Sequence, residues 1–148
     1  MIDSAAASSG TPHNYRRIVV KAGTSLLTGG DGRLDLEVMS TLVAQIAALQ
    51  RGDGELLLVT SGAVAAGRHF LGVSRQSKNL PLRQVLAAVG QGRLMHSYEQ
   101  LFSAHGIPVA QALLSRRDLT DRLGYLNVRN TLLGLLERGV VPIINEND

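Results

Sequence analysis

Lys21-Ala22-Gly23-Thr24-Ser25 sets a cation, a flexible backbone and two hydroxyls directly after the short β-branched run Ile18-Val19-Val20. The run reads as a buried strand, too short to be a helix. Lys21 therefore lies at a strand's carboxyl end, where ligands of open α/β sheets gather. Gly23 lets the backbone bend and bring N–H groups close to an anion. A cation beside exposed N–H donors is what a phosphoryl group needs. Taken alone, the segment fits a surface lysine beside an ordinary turn equally well.

Two other segments repeat the pattern. Thr60-Ser61-Gly62-Ala63 follows the apolar run Leu56 to Val59, and Asn145-Glu146-Asn147-Asp148 follows Val140 to Ile144. If the three strands are parallel, their ends meet at one rim of a sheet. Together they propose a site with a cation, backbone donors, a hydroxyl and a carboxylate. Rival chemistries fail on pattern. No Gly-x-x-x-x-Gly-Lys-Ser/Thr is present, and no Gly-x-Gly-x-x-Gly follows the first strand. Gly90-Gln91-Gly92 is too partial and falls inside a predicted helix. No Gly-x-Ser-x-Gly nucleophile elbow occurs.

The elements that must position these residues alternate in type. Gly29 to Gly32 is a flexible turn. Asp35 caps a helix whose Val38, Leu42, Ile46 and Leu49 fall on one face, and Gly52 to Gly54 end it. Leu56 to Val59 is a strand, continuously apolar as strands buried on both faces are, and Ala63 to Leu71 is a helix. Ser74 to Leu80 is a polar loop. Pro81 opens a helix running from Leu82 to about Ala104. Gly90 and Gly92 lie inside it, each costing about 1 kcal/mol relative to alanine, so close packing or a nearby ligand must offset them. Ile107 to Leu113 is a third strand, Arg116 to Gly124 a polar connection, and Leu126 to Glu137 a Leu-rich helix closed by Gly139. In the fourth strand, Val140 to Ile144, Pro142 suggests a sheet edge or a local irregularity. Strands alternating with helices predict a layered α/β/α sandwich with a mostly parallel central sheet.

Composition narrows the classes. The 148 residues suffice for one domain with a sizeable core. Of these, 45% are hydrophobic but only 3% aromatic, so the core is aliphatic. The net charge of +3 is mild, and Arg16-Arg17 and Arg116-Arg117 lack the aromatic platform of a nucleic-acid site. Without cysteine there are no disulfides, thiolate zinc sites or cysteine nucleophiles. His13, His69, His96 and His105 show no metal-ligand spacing. No apolar run reaches membrane-spanning length. Residues 1–14 lack a signal peptide's basic start and apolar core. They are expected to form a disordered tail on a cytoplasmic protein.

Five segments now carry a resemblance. Val-Val-Lys-Ala-Gly-Thr-Ser (19–25), Val-Thr-Ser-Gly-Ala-Val-Ala-Ala-Gly (59–67) and Ala-Ala-Val-Gly-Gln (87–91) occur in that order. Tyr-Leu-Asn-Val-Arg-Asn-Thr-Leu (125–132) and Val-Pro-Ile-Ile-Asn-Glu-Asn-Asp (141–148) follow them. From about Arg17 to Asp148 the chain closely resembles the bacterial glutamate 5-kinase family of the amino acid kinase superfamily. Ala22 departs from the larger aliphatic usual there, a change that should alter packing more than chemistry.

The resemblance implies an amino acid kinase-like fold and ATP-dependent phosphorylation of the γ-carboxylate of L-glutamate, with Mg²⁺, as the first step of proline synthesis. By motif match, Lys21 would stabilise the transferring phosphoryl group, with Gly23, Thr24 and Ser25 around the ATP phosphates. Ser61, Gly62, Asn145 and Asp148 would hold glutamate, the Asp148 carboxylate suiting its ammonium group. Phosphoryl transfer needs positioning and charge neutralisation, so no protein nucleophile is required. A homo-oligomer without nucleic-acid or membrane partners is expected. The family's pattern continues past Asp148 into a nucleotide-base pocket and a second phosphate-binding lysine, and many members then carry a PUA domain. The chain is therefore expected to be the amino-terminal part of such a kinase domain, incomplete and inactive alone. Two other readings stay open: the kinase portion of a bifunctional pyrroline-5-carboxylate synthase, and a fragment that binds an amino acid or partner without catalysis.

Overall fold

The computed structural model describes residues 15–52, 54–73 and 79–146. The expected tail, most of the polar loop after Val73, and Asp148 lie outside them. Four strands, β1 (Arg17–Ala22), β2 (Glu55–Thr60), β3 (Val109–Leu114) and β4 (Val141–Glu146), form one sheet in the order β1-β2-β4-β3. Every pairing is parallel. Between them run α1 (Thr24–Leu27), α2 (Leu36–Gln50), α3 (Ala63–Leu71), α4 (Leu80–Ser103), α5 (Arg116–Thr120) and α6 (Arg122–Leu136).

Strand side chains alternate between faces. On one face Leu56, Leu58, Val141 and Ile143 pack with Met39, Val43 and Ile46 of α2 and Leu94, Tyr98 and Phe102 of α4. Burying each such aliphatic side chain contributes about 1.5–3 kcal/mol, so this layer is the main core. The opposite face meets α5 and α6 across a cavity of about 730 Å³, lined by residues that include Leu57, Val59 and Ile144 of the sheet and Val128 and Leu132 of α6. β1 is not the buried strand its apolar run predicts. It is an edge strand with Arg17, Val19 and Lys21 exposed on that second face, Val19 at 61%.

The cap read from sequence is in place. Asp35 accepts hydrogen bonds from the N–H groups of Glu37 and Val38 at 3.0 and 3.1 Å and starts α2. The buried stripe of that helix is Met39, Val43, Ile46 and Ala47, rotated from the expected face; Leu49 is 49% exposed. The glycine-rich turn is closed rather than loose. Gly29 donates to the Arg33 carbonyl, and an antiparallel bridge joins Thr28 to Leu34.

Two further expectations need correction. The connection after Arg116 is helical: Ser115 and Asp118 form a reciprocal capping box that starts α5, and Asp121 caps α6 through the Gly124 N–H. The Ser115 hydroxyl and backbone donors hold the Asp118 carboxyl below the usual carboxylate range. Pro142 is not at an edge, since β4 lies between β2 and β3. Val141 donates to the Pro108 carbonyl on the β3 side, and the β2–β4 ladder covers only Leu58–Ile143 and Val59–Ile144. The missing proline N–H thus faces β2 just before that ladder begins.

Gly67 and Gly90 let α3 and α4 approach. A Cβ at Gly90 would lie 1.7 Å from the Ala63 carbonyl oxygen, and one at Gly67 would lie 1.9 Å from that of Leu86. Close packing therefore accounts for Gly90. Among the described residues, its own helix backbone aside, nothing lies within 4 Å of where a Cβ on Gly92 would stand, and nothing in the structure explains this glycine.

Candidate functional site

Parallel pairing brings the carboxyl ends of all four strands to one rim. Lys21 is paired with Val59, and Val59 with Ile144, so these residues share one row on the second face. The Lys21 side chain is exposed and makes no ion pair among the described residues. At Gly23 the chain leaves β1 and enters α1, which opens with no side-chain cap. The first N–H groups of a helix have no intrahelical acceptor, so Thr24 and Ser25 present theirs at the rim. Among the described residues, its chain neighbours aside, nothing lies within 4 Å of where a Cβ on Gly23 would stand. That open space beside a lysine and free N–H donors suits a phosphate.

The second strand end is joined directly to the first. The hydroxyls of Thr24 and Ser61 lie 2.7 Å apart and share a hydrogen bond. Gly62 follows with φ of 100° and starts α3 without a side-chain cap. Only glycine adopts this backbone without strain, and a Cβ there would come within 3.3 Å of Leu34. The turn thus leaves the uncapped N–H groups of α3 beside Ser61, an arrangement suited to a carboxylate.

Beneath Ser61, Thr60 is 5% exposed, and its hydroxyl lies 2.7 Å from the fully buried Tyr98 hydroxyl. Burial raises the Tyr98 phenol above its ordinary value, with the Thr60 hydrogen bond opposing that shift. A neutral phenol therefore fixes the residue that precedes Ser61.

The third strand end carries Asn145, paired with Leu113 of β3 and one residue past the last β2–β4 pair. Its side chain donates to the Gln91 side-chain oxygen at 2.8 Å, and Gln91 donates in turn to that of Gln111 at 3.0 Å. The sequence singles out neither Gln111 nor Tyr98, and Gln91 only as part of a recurring segment without a role. Their signal is tertiary. Gln91, Leu94, Tyr98 and Phe102 line the sheet-facing side of α4, interleaving two polar groups with core residues.

Of the residues expected at the site, the structure joins Thr24 to Ser61 and sets Lys21, Gly23, Gly62 and Asn145 at the same rim. Ser25 is exposed there. Asp148 lies outside the described residues. Among those residues no group of three or more histidine, aspartate or glutamate side chains could hold a metal ion, and no helix is long and apolar enough to cross a membrane.

The amino acid kinase family model matches residues 16–148. A glutamate 5-kinase of Dehalococcoides mccartyi (strain CBDB1) is 58% identical over 134 residues, covering 90% of this chain and 36% of that protein. One from Herpetosiphon aurantiacus is 56% identical over 134 residues, with the same coverages. One from Syntrophus aciditrophicus is 50% identical over 135 residues, covering 91% of this chain and 35% of the relative. The chain thus spans roughly a third of the length of the curated relatives it matches.

Proposed function

The chain belongs to the amino acid kinase family, and on that premise we propose that its full-length protein transfers the γ-phosphoryl group of ATP to the γ-carboxylate of L-glutamate. The product is an acyl phosphate, glutamyl 5-phosphate, made as the first step of proline biosynthesis. The observation that carries this reading is the 2.7 Å Thr24–Ser61 hydrogen bond. It ties the turn suited to a phosphate to the turn suited to a carboxylate, in a chain similar over 90% of its length to glutamate 5-kinases.

Lys21 neutralises charge on the transferring phosphoryl group, while the N–H groups following Gly23 bind phosphate oxygens. The open space at Gly23 fits such a group. Ser61 and the turn at Gly62 bind a glutamate carboxylate, Asn145 adds an amide, and Asp148 pairs with the ammonium group. A glutamate oxygen forms the new bond to phosphorus as the bond to ADP breaks. Holding the partners in line and balancing charge supplies the catalysis, with no protein nucleophile. Mg²⁺ would neutralise phosphate charge. The described residues offer it no carboxylate cluster. We place the enzyme in the cytoplasm as a homo-oligomer, and expect the present segment to be inactive alone.

Incubating the full-length protein with ATP, Mg²⁺, hydroxylamine and single amino acids tests the reading. L-glutamate should give γ-glutamyl hydroxamate with matching ADP release, and L-aspartate and D-glutamate little. Preference for a different carboxylate would overturn it.

A further inference from the structure

We infer that Gln91 is a positioning residue for the acceptor amino acid, holding the Asn145 amide in the direction that the Glu146 N–H selects. The inference rests on the proposed glutamate site. Side-chain amides join α4, β3 and β4: Asn145 donates to Gln91 at 2.8 Å and Gln91 donates to Gln111 at 3.0 Å. The order of donors and acceptors along such a chain is fixed if one end meets a group that can only donate. That group is present. The backbone N–H of Glu146 donates to the Asn145 side-chain oxygen at 2.9 Å, so the Asn145 nitrogen must face Gln91. Gln91 must then accept through its oxygen and donate through its nitrogen, and Gln111 receives.

One N–H of Asn145 and one lone pair of its oxygen are left over, with their directions set. A half-buried amide held at both atoms has lost the freedom to turn over, so a ligand finds donor and acceptor already placed. The depth of Gln91 is itself determined. Its neighbour Gly90 lies in the close contact with Ala63 and Gly67 of α3, the helix that starts at Gly62. The same helix pair therefore sets the turn after Ser61 and the amide of Asn145. Without Gln91, Asn145 keeps its bond from Glu146 but loses the acceptor for its nitrogen. Its amide then spends part of its time turned away.

Steady-state kinetics of the full-length protein test this with Gln91→Met, Asn145→Ala and the double variant. Methionine keeps length and helix propensity but removes both hydrogen bonds. Gln91→Met should raise the glutamate KM about tenfold, leaving the ATP KM and the melting temperature near wild type. Because Gln91 acts through Asn145, the double variant should match Asn145→Ala alone, the non-additivity of coupled residues. A raised glutamate KM in Asn145→Ala with no change in Gln91→Met would overturn the inference and leave the proposed function intact. An unchanged glutamate KM in Asn145→Ala would overturn the glutamate assignment of this strand end, and the inference with it. If Gln91→Met does not fold, Gln111→Ala reads the same relay from an exposed strand position: a raised glutamate KM supports the inference, and no change overturns it.

Discussion

At the scale of single residues, what distinguishes this rim is that its polar groups are held by one another. Ser61 shares its hydroxyl bond with Thr24, and Thr60 below it is anchored on Tyr98. Ser61 lies beside the uncapped start of α3, the turn that the proposed function gives to glutamate. Ser61→Ala in the full-length protein should therefore raise the glutamate KM by roughly tenfold, the effect of losing about 1.4 kcal/mol of hydrogen bonding. The ATP KM should change little. Kinetics with that pattern reversed would move Ser61 to the nucleotide side. The lysine, glycine and hydroxyls were readable in sequence because each residue type carries its chemistry wherever it sits. Gln91, Gln111 and Tyr98 were not, since an amide or phenol on a helix gains meaning only from the strand it meets.

At the scale of elements, local signals worked where one residue decides the conformation. Asp35 caps α2, and Ala63 to Leu71 is α3 from end to end. The buried face of α2 was misjudged because Val38, Met39, Leu42, Val43, Ile46 and Leu49 make a wide apolar arc. Two overlapping stripes fit that arc, and contact with the sheet selects one. Helix α5 is too short for periodicity, yet its capping box, Ser115 with Asp118 three residues on, was visible as a pattern. Pro142 meets the rule that a strand proline's missing N–H must not be needed by a ladder, but does so in an interior strand, on the β2 side just before that ladder begins. The contact between α3 and α4 is the feature most sensitive to substitution. Gly90→Ala would drive a methyl group into the Ala63 carbonyl, and overpacking of this kind costs roughly 1–3 kcal/mol or more. Thermal melting should show a clear drop, whereas Gly92→Ala, with open space around it, should hold or raise the melting temperature. Equal effects at the two positions would contradict the packing described.

At the scale of the molecule, the sheet is covered unequally. One face carries the core, and the other leaves Val19 exposed along the edge strand β1. Leu119, Leu123 and Tyr125, on the helices over that face, are also half or more exposed or nearly so, at 55%, 68% and 49%. An edge strand and apolar surface of this kind favour self-association. The 148-residue chain on its own should therefore show a size that grows with concentration in light scattering. A constant monomer would show that these surfaces are tolerated in water. The parallel order β1-β2-β4-β3 matters for function because it delivers Lys21, Ser61 and Asn145 to one end of one sheet. The most direct test of that claim is the glutamate-dependent turnover of the full-length protein carrying Lys21→Met. Removing one preorganised charge donor costs about 3 kcal/mol in such a site. Turnover should fall roughly a hundredfold, with the glutamate KM close to wild type. Near-normal turnover in that variant would contradict the assignment of phosphoryl transfer to this rim.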